Sequence, residues 1–270
     1  MNELTTRIDQ QFAALRTRAE KGFIAYITAG DPNLEATYDH ILALERAGVD
    51  VVELGIPFSD PLADGPVNQE SAMRALAAGT TFVRICDLVR QVRKVSAIPL
   101  MCYCYMNLLY APGFERSLRR AAQAGIDGML ILDLPAEEAG TYARALHDAR
   151  LNLITLITPT TPDARMKRIM RHASGFVYVV SRTGVTGIQQ TLANDAGALL
   201  QRARRYTDLP LALGFGIADP VQAAAAARHA DAVVVGSALV KRWHAAGSSR
   251  TKQRRVAAWI REMVQAVKGV

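Results

Sequence analysis

Two hydrophobic patterns alternate along this chain. Short apolar runs rich in β-branched residues recur at Gly22–Gly30, Asp50–Pro57, Ile98–Tyr105, Gly128–Pro135, Leu151–Thr158, Gly175–Ser181, Pro210–Gly216 and Asp231–Gly236. Their length predicts buried strands. Amphipathic stretches separate them: Leu34–Ala47, Arg84–Val95, Glu115–Ala124, Glu137–Ala149, Met166–His172, Ala196–Arg205 and Val221–His229. A leading helix over roughly Leu4–Arg18 precedes the first strand. A trailing one over roughly Arg254–Val267 follows a short Gly247–Arg250 hinge. Strand and helix in alternation predict right-handed βαβ units and a parallel sheet.

Eight such units in 270 residues fit a (β/α)₈ barrel, an α/β fold of the TIM-barrel type, in one domain spanning 1–270. An extra N-terminal helix and a short helix after strand eight, Ala238–Trp243, complete the expected architecture. A doubly wound open sheet is the alternative. The first turn, Thr28-Ala29-Gly30-Asp31-Pro32, lacks the dinucleotide fingerprint that would favour it.

Composition narrows the setting. Half the residues are hydrophobic, yet no stretch is long enough to span a bilayer, and the polar start Met1–Arg7 does not resemble a signal peptide. A cytoplasmic protein without membrane attachment is expected. The three cysteines, Cys86, Cys102 and Cys104, form no CxxC pair, which argues against a disulfide framework or a zinc site. The net charge of +7 is spread over small basic sets in helix-like segments, without interleaved aromatics, so solvated helix faces explain it better than nucleic-acid binding.

In a barrel, chemistry sits at the C-terminal ends of the strands. There the second strand carries Glu53, followed by a Pro/Gly/Asp loop with Asp60 and Asp64. If Val52, Leu54 and Ile56 face the helices, Glu53 faces the barrel interior, with the small Gly55 above it leaving space for a ligand. A buried carboxylate is costly unless paired or used, so Glu53 is either a hydrogen-bonded structural group or an acid–base catalyst of raised pKa. Asp64 lies in a loop that could close as a lid; turn chemistry is the plainer reading of it and of Asp60.

Glycines mark three neighbouring strand ends: Gly184-Val185-Thr186-Gly187, Gly214-Phe215-Gly216 and Gly236-Ser237. The last opens the short helix. Such ends let backbone N–H groups approach a phosphate. Tyr26, Tyr105, Tyr178 and Phe215 form an aromatic set suited to a flat apolar ligand, or ordinary core. The five histidines fall in or after helices and the six lysines avoid strand interiors. A histidine-held metal and a Schiff-base lysine both lack a candidate, which leaves carboxylate chemistry on a phosphorylated substrate.

These residues resemble the α subunit of tryptophan synthase. Tyr26–Pro32, the unbroken Glu53–Pro66 segment ELGIPFSDPLADGP, Ser181–Gly187, Leu213–Ile217 and Val235–Ala238 carry the resemblance over nearly the whole chain. It implies a lyase of tryptophan biosynthesis that cleaves indole-3-glycerol phosphate to indole and glyceraldehyde 3-phosphate by a retro-aldol step, with no metal or organic cofactor. Its catalytic pair falls on Glu53 and Asp64. Its phosphate ligands fall on Gly184, Gly216, Gly236 and Ser237, with Thr186 in the same loop. Its indole contacts fall on Tyr26, Tyr105, Tyr178 and Phe215. It also implies a pyridoxal-phosphate β subunit as partner in an α₂β₂ heterotetramer, with Pro57, Asp60 and Asn107 near the interface. Three positions differ from the residues usual in the family: Ala25 for Pro, Leu132 for Pro or Ala, and Asn68 for an apolar side chain. A stand-alone indole-releasing lyase of a secondary pathway is the alternative, and a ligand-binding regulator of a β-type subunit is a third reading.

Overall fold

Eight parallel strands close on themselves in sequence order in the computed structural model, which describes residues 5–180, 189–214 and 216–270. The strands are β1 (Gly22–Thr28), β2 (Val51–Gly55), β3 (Leu100–Cys104), β4 (Gly128–Ile131), β5 (Asn152–Ile157), β6 (Val177–Val180), β7 (Leu211–Gly214) and β8 (Ala232–Val235). Helices surround them: α1 (Arg7–Thr17), α2 (Leu34–Arg46), α3 (Pro66–Ala77), α4 (Phe82–Val92), α5 (Met106–Tyr110), α6 (Phe114–Ala124), α7 (Ala139–Asp148), α8 (Asp163–Met170), α9 (Gln189–Arg204), α10 (Pro220–Ala227), α11 (Ser237–Ala246) and α12 (Arg250–Lys268). The barrel and its eight expected strands are therefore present, each strand ending before its apolar run does.

Alternation along the strands sorts side chains into two shells. Val52, Leu54, Cys102, Cys104 and Met129 face outward into the layer beneath the helices. Ile24, Val51, Met101, Leu130, Ile154, Ala212 and Val234 face inward and fill the barrel. Helix α1 plugs the N-terminal end of that interior with Ile8, Phe12 and Leu15, and the Phe12 ring lies 5.5 Å from that of Phe176. Each of these buried side chains stabilises the plug by roughly 1.5–3 kcal/mol. Thr6 caps the helix in a reciprocal box with Asp9 and also bonds Asn152 at the foot of β5.

An aspartate stands just before β2, β4 and β8, and each accepts an N–H at the start of the preceding odd strand, from its first or second residue. Asp50 takes Phe23 N at 2.8 Å, Asp127 takes Leu100 N at 2.9 Å, and Asp231 takes Leu211 N at 2.7 Å. Cations complete them: Lys268 on Asp50, Arg7 and Arg93 on Asp127, and Arg204 on Asp231. The N-terminal rim is thus closed by satisfied carboxylates.

Two helices depart from the sequence expectation. The stretch after Asp64, expected as a lid loop, turns into α3 within two residues, with Pro66 at its first position. Proline is pre-set for that position because its missing N–H would have no partner there. Asn68 therefore sits in a helix, not in a loop. A short α5 follows β3 directly. The expected Gly247–Arg250 hinge is tight, and Ser249 caps α12. Among the described residues no helix is long and apolar enough to cross a membrane, and no group of three metal-ligating side chains gathers.

Candidate active site

The interior parity of β2 puts Glu53 inside the barrel, level with Tyr26 of β1 and Met101 of β3. Glu53 is 1% exposed, and among the described residues neither carboxylate oxygen has a hydrogen-bond partner. Burial pushes its pKa up to about 8, and the nearby Asp64 carboxylate adds to the rise. The group is thus protonated at neutral pH and able to give a proton.

Asp64 reaches the same region from the turn between β2 and α3. Its backbone N–H bonds Pro61 O at 3.0 Å, and Gln69 Nε2 donates to Asp64 O at 2.9 Å, which fixes the turn onto the first part of α3. The Tyr105 hydroxyl donates to Asp64 Oδ2 at 2.7 Å and accepts from Ala63 N at 3.0 Å. Phe58 packs on the Tyr105 ring at 5.1 Å. Oδ1 is buried and unpartnered. Desolvation raises the Asp64 pKa, and the Tyr105 hydrogen bond opposes the rise. One carboxyl is left without partners among the described residues and kept neutral; the other is held by the Tyr105 phenol with one oxygen free.

Tyr26 and Tyr178 share one packing device. A Cβ on Gly55 would lie 2.2 Å from the Tyr26 hydroxyl, and a Cβ on Gly214 would lie 2.6 Å from that of Tyr178. Each tyrosine thus lies over a glycine two places past its register partner on the next strand. The space over Gly55, expected to be open for a ligand, is filled by Tyr26. Both phenols are raised well above their ordinary pKa by burial, so they stay neutral donors.

The remaining expected residues divide. Gly236 immediately precedes α11, whose start has no side-chain cap, and Ser237 is the first helical residue and is exposed. An uncapped helix start of this kind suits an anion. Gly216 is exposed, with φ of 71°. Gly184, Thr186 and Phe215 lie outside the described residues. Asp60 and Asn107 are exposed at the C-terminal rim, whereas Pro57 is buried and presents no surface of its own.

Tyr103 was not among the residues singled out from sequence. It pairs with Gly55, points inward like Met101, and packs edge-on against Tyr26 at 5.2 Å. Its shared parity with Tyr105 was the available signal.

Fold and site together define a barrel lyase-type centre with one neutral and one phenol-held carboxylate below a helix N-terminus. The family model described as Tryptophan synthase alpha chain matches residues 12–268. A tryptophan synthase alpha chain from Citrifermentans bemidjiense is 49% identical over 236 residues, covering 87% of this chain and 88% of that one. One from Alkaliphilus metalliredigens is 41% identical over 262 residues, covering 97% and 98%. The crystal structure of tryptophan synthase subunit alpha from Legionella pneumophila superposes with a TM-score of 0.91 at 36% identity, covering 98% of this chain and all (100%) of that one. The chain belongs to the tryptophan synthase alpha chain family, and its activity is the cleavage of indole-3-glycerol phosphate in tryptophan biosynthesis.

Proposed function

We propose that Glu53 and Asp64 carry out this cleavage as proton donor and N–H acceptor. Direct scission would leave a poor carbanion at indole C3. Protonation of C3 by neutral Glu53 first creates an indoleninium, an electron sink. Glu53, now ionised, takes the proton from the side-chain hydroxyl next to the ring. The C–C bond then breaks, its electron pair returns to the indole ring, and the released carbon becomes the aldehyde of glyceraldehyde 3-phosphate. One proton leaves Glu53 and one returns, so the group is ready for the next turnover. Asp64 Oδ1 accepts the indole N–H and stabilises the positive charge that develops there. The observation that carries this reading is the set of three buried carboxyl oxygens without partners among the described residues, both of Glu53 and Oδ1 of Asp64, since acceptors left bare cost about 1–3 kcal/mol each until a ligand completes them.

Gly216, Gly236 and Ser237, with Gly184 and Thr186, hold the phosphate in this proposal, so the tail fixes the indole against both carboxyls. Tyr26, Tyr105, Tyr178 and Phe215 flank the ring. No metal or organic cofactor takes part in the steps written here. The whole chain acts as one barrel domain in the cytoplasm.

Membership of the family brings a β subunit as partner. The proposed partner is the pyridoxal-phosphate β subunit, in an α₂β₂ assembly. The C-terminal rim supports this, for it exposes Leu62 (84%) and Tyr110 (51%) beside Asp60 and Asn107. The test is indole release from indole-3-glycerol phosphate by the purified chain, alone and then with a β subunit. Slow release that rises strongly on adding β is expected. Fast release indifferent to β would make the chain a self-sufficient lyase, and no release in either case would sink the proposed substrate.

A further inference from the structure

We infer that Asp31, Ser71, Arg74 and Gln69 are positioning residues, which hold Asp64 in place against Glu53 by clamping α3 to the turn after β1. The inference rests on the proposed role of Asp64 as acceptor of the indole N–H.

Chain connection alone does not fix one carboxyl relative to the other. Glu53 lies in β2 and is held by the ladders to β1 and β3. Asp64 follows a turn in which Ser59, Asp60, Leu62 and Ala63 are exposed. The backbone bonds within that turn are local: Leu62 N to Asp60 O and Asp64 N to Pro61 O, both 3.0 Å. Bonds of this kind give the turn a shape but do not moor it to the barrel. On one side the Tyr105 hydroxyl moors it to the end of β3, through Ala63 N and Asp64 Oδ2. On the other side the mooring is α3.

Gln69 of α3 donates from Nε2 to Asp64 O at 2.9 Å, and its own N–H bonds Gly65 O at 3.0 Å. The backbone of Asp64 therefore follows α3. Ser71 and Arg74 are three places apart and share a helix face. Both end on the Asp31 carboxylate, whose side chain is 9% exposed. Arg74 donates from Nε at 2.9 Å and from Nη2 at 2.7 Å, and the Ser71 hydroxyl donates at 2.6 Å. A bidentate fork fixes orientation as well as distance. Past the far end of α3, Thr80 packs on Gly30, where a Cβ would fall 2.0 Å from the Thr80 hydroxyl oxygen. The turn after β1 thus grips α3 at both ends.

That same turn is bonded to the strand that carries Glu53. Ala29 N donates to Gly55 O at 2.9 Å, two places past Glu53. A continuous set of short bonds therefore runs from β2 through the β1 turn to α3 and on to Asp64. Asp64 does most for the reaction when positive charge develops on the ring nitrogen, whereas the phosphate tail is held at the start of α11. A loosened clamp therefore lowers kcat and leaves substrate binding nearly unchanged.

The experiment places Gln69→Leu and Arg74→Lys in two backgrounds, the natural chain and Asp64→Ala, and follows indole release with β subunit present. Lysine keeps the charge of Arg74 but cannot form the fork. In the natural chain each substitution should lower kcat by about three- to tenfold, as a displacement well under 1 Å does. KM and inhibition by inorganic phosphate should stay within about twofold, since the interaction lost is one made in the transition state. In the Asp64→Ala background the same substitutions should cost less than about twofold, because residues that act through one group are not additive. Single-turnover measurement with enzyme in excess keeps the slow rates readable. An equal loss in both backgrounds would overturn the inference, since a general packing defect does not depend on Asp64. So would unchanged kcat in the natural chain, or a loss confined to KM. Gln69 is exposed, so Gln69→Leu decides alone if Arg74→Lys does not fold. Asp64→Ala by itself tests the underlying reading: wild-type turnover there overturns the role of Asp64, whereas a large loss with additive effects of Gln69→Leu and Arg74→Lys removes only the clamp.

Discussion

The two ends of the barrel bury carboxylates in opposite ways. At the N-terminal rim Asp127 is 3% exposed, accepts Leu100 N, and meets Arg7 at 2.9 Å and Arg93 at 3.0 Å. Asp50 is similarly filled by Phe23 N, Gln11 at 2.7 Å and Lys268 at 3.0 Å. At the C-terminal rim Glu53 is 1% exposed and has no partner among the described residues. The same functional group, equally dry, is a strut at one end and a proton donor at the other. Burial alone does not distinguish them; the presence or absence of partners does. The same barrel spends stability at its mouth and recovers it at its foot.

The sharpest way to break the contrast is Glu53→Gln. The amide cannot give or recover a proton, so indole release falls by about 10²–10⁴-fold. Stability moves the other way. The folded pKa is raised from 4.5 to about 8. Below about 4.5 both folded and unfolded chains hold the proton. Between the two values only the folded chain does, so its stability declines as pH rises through that window. Glu53→Gln removes this loss, on the order of 4 kcal/mol at pH 8 and much less near pH 5. Urea unfolding at both pH values measures it. A variant no more stable at pH 8 than its parent would mean that Glu53 is compensated in solution and that the contrast between the rims is false.

Asp127→Ala is the mirror experiment at the foot. It strands Arg93, whose side chain is 11% exposed, and leaves Leu100 N without its acceptor. Removing one partner of a buried pair costs about 3–5 kcal/mol. Arg93 also donates to Ile98 O at 2.6 Å and Gly125 O at 2.9 Å, which keeps the guanidinium in place and places the cost at the lower end. Well below its melting temperature the variant should keep kcat/KM within about twofold, because surface and rim changes far from the chemistry act additively and locally. A large loss of kcat/KM with little loss of stability would reverse the assignment of the two rims.

The sequence made the strand order legible because eight separate apolar runs with the right parity leave few other folds. Their ends were overread where apolar residues continue past the last ladder bond, as at Pro57, Tyr105 and Pro135. Helix α3 was hidden by the Asp/Pro/Gly content of the turn before it, although Gly65-Pro66 is a helix-start signal. Glu53 stood out as a charge in a strand. That its oxygens are orphaned was not legible, because satisfaction depends on side chains brought from far along the chain. Tyr105, for instance, reaches Asp64 across 41 positions. The recurring Asp before β2, β4 and β8 was visible as composition only; its role needs the register that brings Phe23, Leu100 and Leu211 alongside.

The mildest test probes what separates the rims in packing. At the foot, Ile8, Phe12, Leu15 and Phe176 pack as an apolar plug. At the mouth, Tyr26 lies so close over Gly55 that a Cβ there would meet its hydroxyl at 2.2 Å and its ring carbons at 2.6 and 2.8 Å. The ring cannot yield easily, since Tyr103 stands edge-on against it. Gly55→Ala therefore displaces Tyr26, costing about 1–3 kcal/mol as overpacking does. The displaced phenol also disturbs the lining next to Glu53, so kcat/KM falls together with stability, unlike in either earlier variant. Tyr26→Leu placed in the same chain removes the collision. The double variant Gly55→Ala/Tyr26→Leu should then be less destabilised than the sum of its single changes, a coupling of order 1 kcal/mol readable from urea unfolding. Strict additivity would mean that the alanine is accommodated without moving Tyr26, and that the glycine is there for a reason other than the tyrosine.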